Sequence, residues 1–152
     1  MPLSIIDRQK RVRLDRRALS RLVGLVLLEH GRVDADLTVV AAGDEFVHGL
    51  NLAYRGVDAP TDVLSFGAAI AAPGAAPEGP EAVLGDIVIS TDRALAQARA
   101  HRVPTRREIL KLVAHGALHL LGYDHETPRD RRRMTTLENR YVRETEAGRK
   151  RR

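Results

Sequence analysis

Apolar residues recur along residues 15–30 at helical spacing. Ala18, Leu19, Leu22, Val23, Val26 and Leu27 follow the i, i+3, i+4 pattern, and Gly31 stands where a C-cap belongs. Four short runs read as strands: residues 3–8 (LSIIDR), 35–41 (ADLTVVA), 62–66 (DVLSF) and 84–90 (LGDIVIS). Asp44 opens a short helix expected to turn Phe46, Leu50 and Tyr54 inward. Ser90 or Thr91 caps a helix that runs to about His101. The next helix starts at Pro104 and Thr105, with Thr105 and Glu108 spaced as a capping box. It carries a buried stripe of Leu110, Val113, Ala114, Ala117, Leu118 and Leu121, and Gly122 ends it. A last helix opens at Thr127 with Pro128 in its first turn, and Met134, Leu137 and Tyr141 form its apolar edge.

Residues 67–83, rich in Ala, Gly and Pro, predict a mobile loop without a core of its own. No repeat is visible, and strands and helices do not alternate regularly. The expected fold is therefore α+β: a single domain over residues 1–147, with a small four-stranded mixed sheet packed with about five helices. Residues 148–152 (GRKRR) are expected to form a disordered basic tail.

Composition narrows the chemistry. The 152 residues contain no Cys, which excludes disulfides and thiolate metal sites, so any metal ligands must be His or carboxylates. Trp is absent and aromatics make up 3%, so the core must be built from Leu, Val, Ile and Ala. The N-terminal segment MPLSIIDRQKRVRLDRR has no apolar run of signal-peptide length, and Leu22–Leu28 is too short to span a bilayer. A cytoplasmic protein with no membrane partner is expected. Net charge is +5, and 22 of the 25 cationic side chains are Arg, a residue suited to bidentate phosphate contacts. Part of that Arg bias reflects genome base composition, so charge alone does not decide for a nucleic acid.

Three of the six His fall within HGALHLLGYDH, from His115 to His125. Side chains at i and i+4 on a helix are neighbours, so His115 and His119 can grip one ion. Gly122 lets the chain turn back, which can bring His125 round as a third ligand. Three His leave a position open for water, the mark of a catalytic rather than a structural site, and the ion lowers that water's pKa to near 7. Zinc proteases place a Glu just after the first His of such a pair; here that position is Gly116, so a peptidase of that type lacks its base. Asp124, Asp86 and Glu108 remain candidates for a base, and Asp124 is favoured as a carboxylate that orients a ligand His. His30, His48 and His101 read as ordinary structural or surface residues.

These residues carry a resemblance. HGALHLLGYDH is similar to the signature of the YbeY family of bacterial endoribonucleases. LNLAYRGVDAPTDVLSF (Leu50–Phe66) and LGDIVIS (Leu84–Ser90) resemble two further blocks of that family, in the same order. The likeness runs from about residue 35 to about 145, with Gly67 standing where the family usually has Pro. It implies a metal-dependent ribonuclease directed at single strands, active in 16S rRNA 3′-end maturation and ribosome quality control. It also implies that Arg55 lines the cleft beside the metal, where a guanidinium can bind a phosphate through two hydrogen bonds. Asn51, Thr61, Asp62 and Ser65 lie in the same block, and each is equally well explained by a turn or a backbone contact.

The expected function is thus cleavage of a 16S rRNA precursor, free or within ribosomal particles, with one Zn²⁺ or another divalent transition metal per chain. Two rivals remain open. One is a non-catalytic assembly factor that binds rRNA and carries a structural metal; the other is a metallohydrolase acting on peptides.

Overall fold

The computed structural model describes residues 3–67 and 83–150. Along the chain run β1 (Leu3–Asp7), α1 (Arg16–Glu29), β2 (Asp36–Ala42), α2 (Asp44–Arg55), β3 (Val63–Gly67), β4 (Val83–Ser90), α3 (Thr91–His101), α4 (Thr105–Leu120) and α5 (Pro128–Lys150). The four strands form one mixed sheet in the order β1-β2-β4-β3, so the α+β reading holds. β1, β2 and β4 are parallel, and β3 runs antiparallel along β4 at one edge. Most of the expected loop at 67–83 lies outside the described residues. No described helix is long and apolar enough to cross a membrane.

Strand alternation divides the molecule into two layers of unequal depth. One face presents Leu37, Val39, Ala41, Ile87 and Ile89 to the apolar stripes of α1, α4 and α5, and this is the main core. The other face presents Ala42, Leu64 and Val88 to Val47 of α2, in a much smaller cluster. On the second face β1 is uncovered, with Ser4 and Ile6 exposed, and Asp86 of β4 is exposed as well.

α2 departs from expectation. Its buried residues are Val47 and Asn51, whereas Phe46 is exposed, Leu50 is half-buried and Tyr54 is 71% exposed. Two i, i+4 ridges competed for the sheet, and the one carrying a polar Asn was seated. Asn51 is accommodated because its side-chain amide donates to the Ala59 carbonyl (2.9 Å) and so holds the turn after the helix. The displaced aromatics find other partners. The Arg8 guanidinium lies 4.5 Å above the Phe46 ring, and Tyr54 meets Phe66 edge to face at 5.6 Å.

The helix starts agree in part. Ser90 caps α3, its hydroxyl accepting from the Arg93 amide at 3.2 Å, and the Thr127 hydroxyl accepts from the Asp130 amide at 3.0 Å at the start of α5. The capping box at Thr105 and Glu108 does not form. Pro104 occupies the cap position, Thr105 is already helical, and Glu108 turns inward towards His101 (3.4 Å). α5 continues to Lys150, so the first three residues of the expected tail at 148–152 are helical.

Candidate metal centre

α4 is the most deeply set helix on the main face of the sheet. At Gly116 it approaches the sheet so closely that a Cβ there would lie 2.8 Å from Cγ2 of Ile87 and 3.1 Å from Oγ of Ser65. The residue that follows the first His therefore faces β4, where no side chain fits. That is a structural reason for the missing protease-type Glu. Ser65 Oγ donates to the Gly116 carbonyl (3.3 Å), which ties the edge strand to the helix one residue past His115.

The helix ends where the sequence says it should. Gly122 has φ of +105°, its amide donates to the His119 carbonyl (3.1 Å), and the Tyr123 amide donates to the Leu118 carbonyl (3.1 Å). This reversal returns His125 to the last turns of α4. The three imidazole rings converge: their centres are 6.4 Å apart for His115–His119, 5.5 Å for His115–His125 and 5.9 Å for His119–His125.

Hydrogen bonds decide which ring nitrogens remain free. His115 Nδ1 lies 2.7 Å from a Glu138 carboxylate oxygen, and His119 Nδ1 lies 3.1 Å from the Tyr123 carbonyl. Both partners can only accept, so each Nδ1 carries the proton and each Nε2 keeps a lone pair, the arrangement a metal-ligating imidazole requires. The Glu138 hydrogen bond raises the pKa of His115, outweighing burial, which lowers it. Glu138 itself is 5% exposed and projects from the middle of the apolar face of α5.

By its chemistry a set of three imidazoles suits a divalent transition ion, but the rings stand further apart than a held ion would place them. Metal–nitrogen bonds of about 2.1 Å in a tetrahedral site bring ring centres to about 5 Å. Among the described residues no group of three or more His, Asp or Glu side chains is placed so that it could hold a metal ion.

The remaining candidates have other partners, although Asp62 and Glu108 line one pocket with His115 and Glu138. Asp124 is exposed and accepts from the Glu126 amide at 3.4 Å rather than from a His, so the carboxylate beside a candidate ligand is Glu138. Asp86 shares the α2 face of β4 with Val88, away from the three His. Glu108 lies two turns before His115 on α4 and is buried against His101. Asp62 accepts from the Gln97 amide group (3.1 Å), and its carbonyl accepts from the Ser90 amide (2.8 Å), which fixes the entry to β3. Arg55 is the last residue of α2, the helix packed on the other face of the sheet from α4; its exposed side chain has no hydrogen-bonding partner among the described residues, and no contact there joins it to the three His. Sequence reasoning missed Glu138, for which one signal existed. It falls at helical spacing within the stripe Met134, Tyr141, Val142 and Thr145, as a lone carboxylate in an apolar row.

Comparison with known proteins identifies the family. The family profile described as Endoribonuclease YbeY matches residues 4–146. A protein of that name from Pelotomaculum thermopropionicum is 42% identical over 142 residues, covering 91% of this chain and 93% of the relative. Another from Anaeromyxobacter sp. is 45% identical over 126 residues, covering 83% of this chain but only 60% of the relative. The solution structure of TM1509 from Thermotoga maritima superimposes with a TM-score of 0.62 at 27% identity, over 94% of this chain and 88% of that one. With a family match across nearly its whole length and a relative at 42% identity aligned end to end, this chain belongs to the YbeY endoribonuclease family.

Proposed function

We propose that the protein is a metal-dependent endoribonuclease that cleaves single-stranded RNA, acting in the cytoplasm on the 3′ end of a 16S rRNA precursor and in ribosome quality control. His115, His119 and His125 hold one ion, Zn²⁺ or another divalent transition metal. When bound, that ion supplies a Lewis acid and lowers the pKa of a coordinated water. Arg55 binds the phosphate through its planar guanidinium and offsets the charge that develops on it. Glu138 holds the His115 ring in the ligating tautomer, and the Tyr123 carbonyl does the same for His119. The net charge of +5 supports a polyanionic substrate, because each phosphate neutralised releases condensed counterions.

The observation that carries this reading is the convergence of three His rings, two of them with Nδ1 already engaged. Gly116, pressed against Ile87, speaks against a peptidase of the zinc-protease type. A ribosome-assembly factor with a structural metal would need a fourth protein ligand closing the site.

The test is cleavage of single-stranded RNA by the pure, metal-loaded protein, beside His119→Ala and a chelated sample. The expected result is cleavage by wild type alone, with the substitution and the chelator each reducing the rate by about a hundredfold or more, beyond the loss typical of an outer-sphere partner. Equal cleavage in all three would mean a contaminating nuclease. Metal binding without cleavage would favour the assembly-factor reading.

A further inference from the structure

The link from α4 to α5 is exposed at Gly122, Asp124, His125, Glu126 and Thr127, and only Tyr123 is half-buried within it. Short bonds hold its two ends, from the Gly122 and Tyr123 amides back to α4 (3.1 Å each) and from the Asp130 and Arg131 amides to Thr127 (3.0 Å each), but between them the bonds are long: Asp124 to the Glu126 amide at 3.4 Å, and Arg131 to the His125 carbonyl at 3.5 Å. Yet the segment carries one candidate ligand, His125, and supplies the carbonyl that orients a second, His119. The one half-buried side chain of the link, Tyr123, is thus the side-chain anchor available to its middle.

Its partner comes from α1, a distant part of the sequence. His30 lies just past the end of α1, and its Nδ1 is 2.7 Å from the Val26 carbonyl oxygen. A carbonyl only accepts, so Nδ1 carries the proton, and Nε2 of the neutral ring is left as an acceptor. That Nε2 lies 2.9 Å from the Tyr123 hydroxyl, which donates to it. The two rings meet edge to face, with centres 5.6 Å apart at 85°, and the Arg133 guanidinium lies 5.1 Å from the Tyr123 ring centre. The chain of contacts then runs Val26 carbonyl, His30, Tyr123 hydroxyl, and through the Tyr123 backbone to its carbonyl and His119 Nδ1.

We propose that His30 and Tyr123 are positioning residues for the metal centre: the bond between them anchors the link and so sets both the His119 ring and the approach of His125. The proposal rests on the reading of the three His as ligands. His115 is fixed independently, by Glu138 of α5, so the two anchors serve different ligands.

The experiment measures ion affinity by competition with a chromophoric chelator, together with the thermal midpoint of the ion-free protein. It compares wild type with Tyr123→Phe, which removes only the hydroxyl, His30→Leu, which removes the acceptor, His30→Gln, which retains one, and the Phe/Leu double variant. The expected result is a loss of about tenfold for each of the first two, the lower end of the range for partners of ligand His. The double variant should lose no more than either single one, because both cut the same bond. His30→Gln should recover part of the loss, and the ion-free midpoints should stay close to wild type. The imidazole nitrogen signals of His119 should shift in both single variants. Unchanged affinity overturns the proposal, as does additive loss or loss that merely tracks a lowered midpoint. A wild type that binds no ion overturns the ligand reading and the anchor with it, whereas variants equal to a wild type that does bind overturn the anchor alone.

Discussion

α4 buries nine of its sixteen residues, α2 only two of its twelve. Both carry residues that the proposed function brings into one active site, yet they are held in different ways. On the α4 side, His115 is backed by a buried carboxylate and His119 by a backbone carbonyl. On the α2 side, Arg55 ends an exposed helix in front of Gly56, with no partner among the described residues. The difference fits the chemistry proposed for each side. An ion tolerates displacements of a few tenths of an ångström in its ligands, so those side chains must be fixed before it binds. A guanidinium that meets a flexible, solvated phosphodiester works through charge and a long side chain, and it can be ordered by its substrate.

The comparison makes its strongest prediction at Arg55. Arg55→Ala should lower kcat on single-stranded RNA by about a hundredfold or more, the range found when one donor to a developing oxyanion is removed. Ion affinity and the thermal midpoint should stay at wild-type values, since the side chain supports nothing in the scaffold. Arg55→Lys should recover only part of the rate, because an ammonium cannot form the two parallel bonds of a guanidinium. Full activity in the Ala variant would remove α2 from the site, and a large fall in the midpoint would show that the exposed helix is structural after all.

The tightly held side makes the opposite prediction. Glu138→Gln keeps an acceptor near His115 Nδ1 but removes the charge, and ion affinity should fall by about tenfold. Cleavage at saturating ion should largely recover, which separates this substitution from Arg55→Ala, where added ion cannot help. If affinity were unchanged, the buried carboxylate would be a packing feature of α5 rather than part of the metal centre.

The two sides were also unequally legible in the sequence. All four strands and all five helices of the described residues fall where periodicity and turn residues put them, because the core stripes of α1 and α4 are long and uninterrupted. The three His could be read together because a helix fixes i and i+4 and a Gly can reverse the chain. α2 was misread because its apolar residues form two adjacent ridges. The seated ridge includes Asn51, whose burial makes sense only once the Ala59 carbonyl is in place. Glu138 and His30 escaped for a different reason: each acts across the fold, 23 residues from His115 and 93 residues from Tyr123, and local pattern carries no record of such partners. Asp124 was favoured for its nearness in sequence, and nearness in sequence is a poor guide to which carboxylate meets a buried imidazole.

The smallest predicted effect concerns the clamp behind the tight side. Arg140 of α5 donates two hydrogen bonds to the Glu29 carboxylate at the end of α1, at 3.0 and 2.9 Å, and so joins the helix that precedes His30 to the one that carries Glu138. Those bonds, followed by that of Tyr141, hold the Glu29 pKa below its ordinary 4.5. A carboxylate whose folded pKa is depressed contributes stability that is present above its unfolded pKa and lost as pH falls through the folded one. Glu29→Gln should therefore lower stability at neutral pH by less than about 1 kcal/mol, since the pair is partly exposed. The gap from wild type should begin to narrow as the pH falls below the ordinary value of 4.5 and close as it passes through the lowered folded value. Denaturant melts at pH 7, 5 and 3 would measure this. Ion affinity should not change, because the individual contacts at Glu138 and Tyr123, rather than the general firmness of α1 against α5, set the ligands. A fall in affinity that matched the loss of stability would reverse that conclusion and make the precision of the metal centre a property of the whole helical layer.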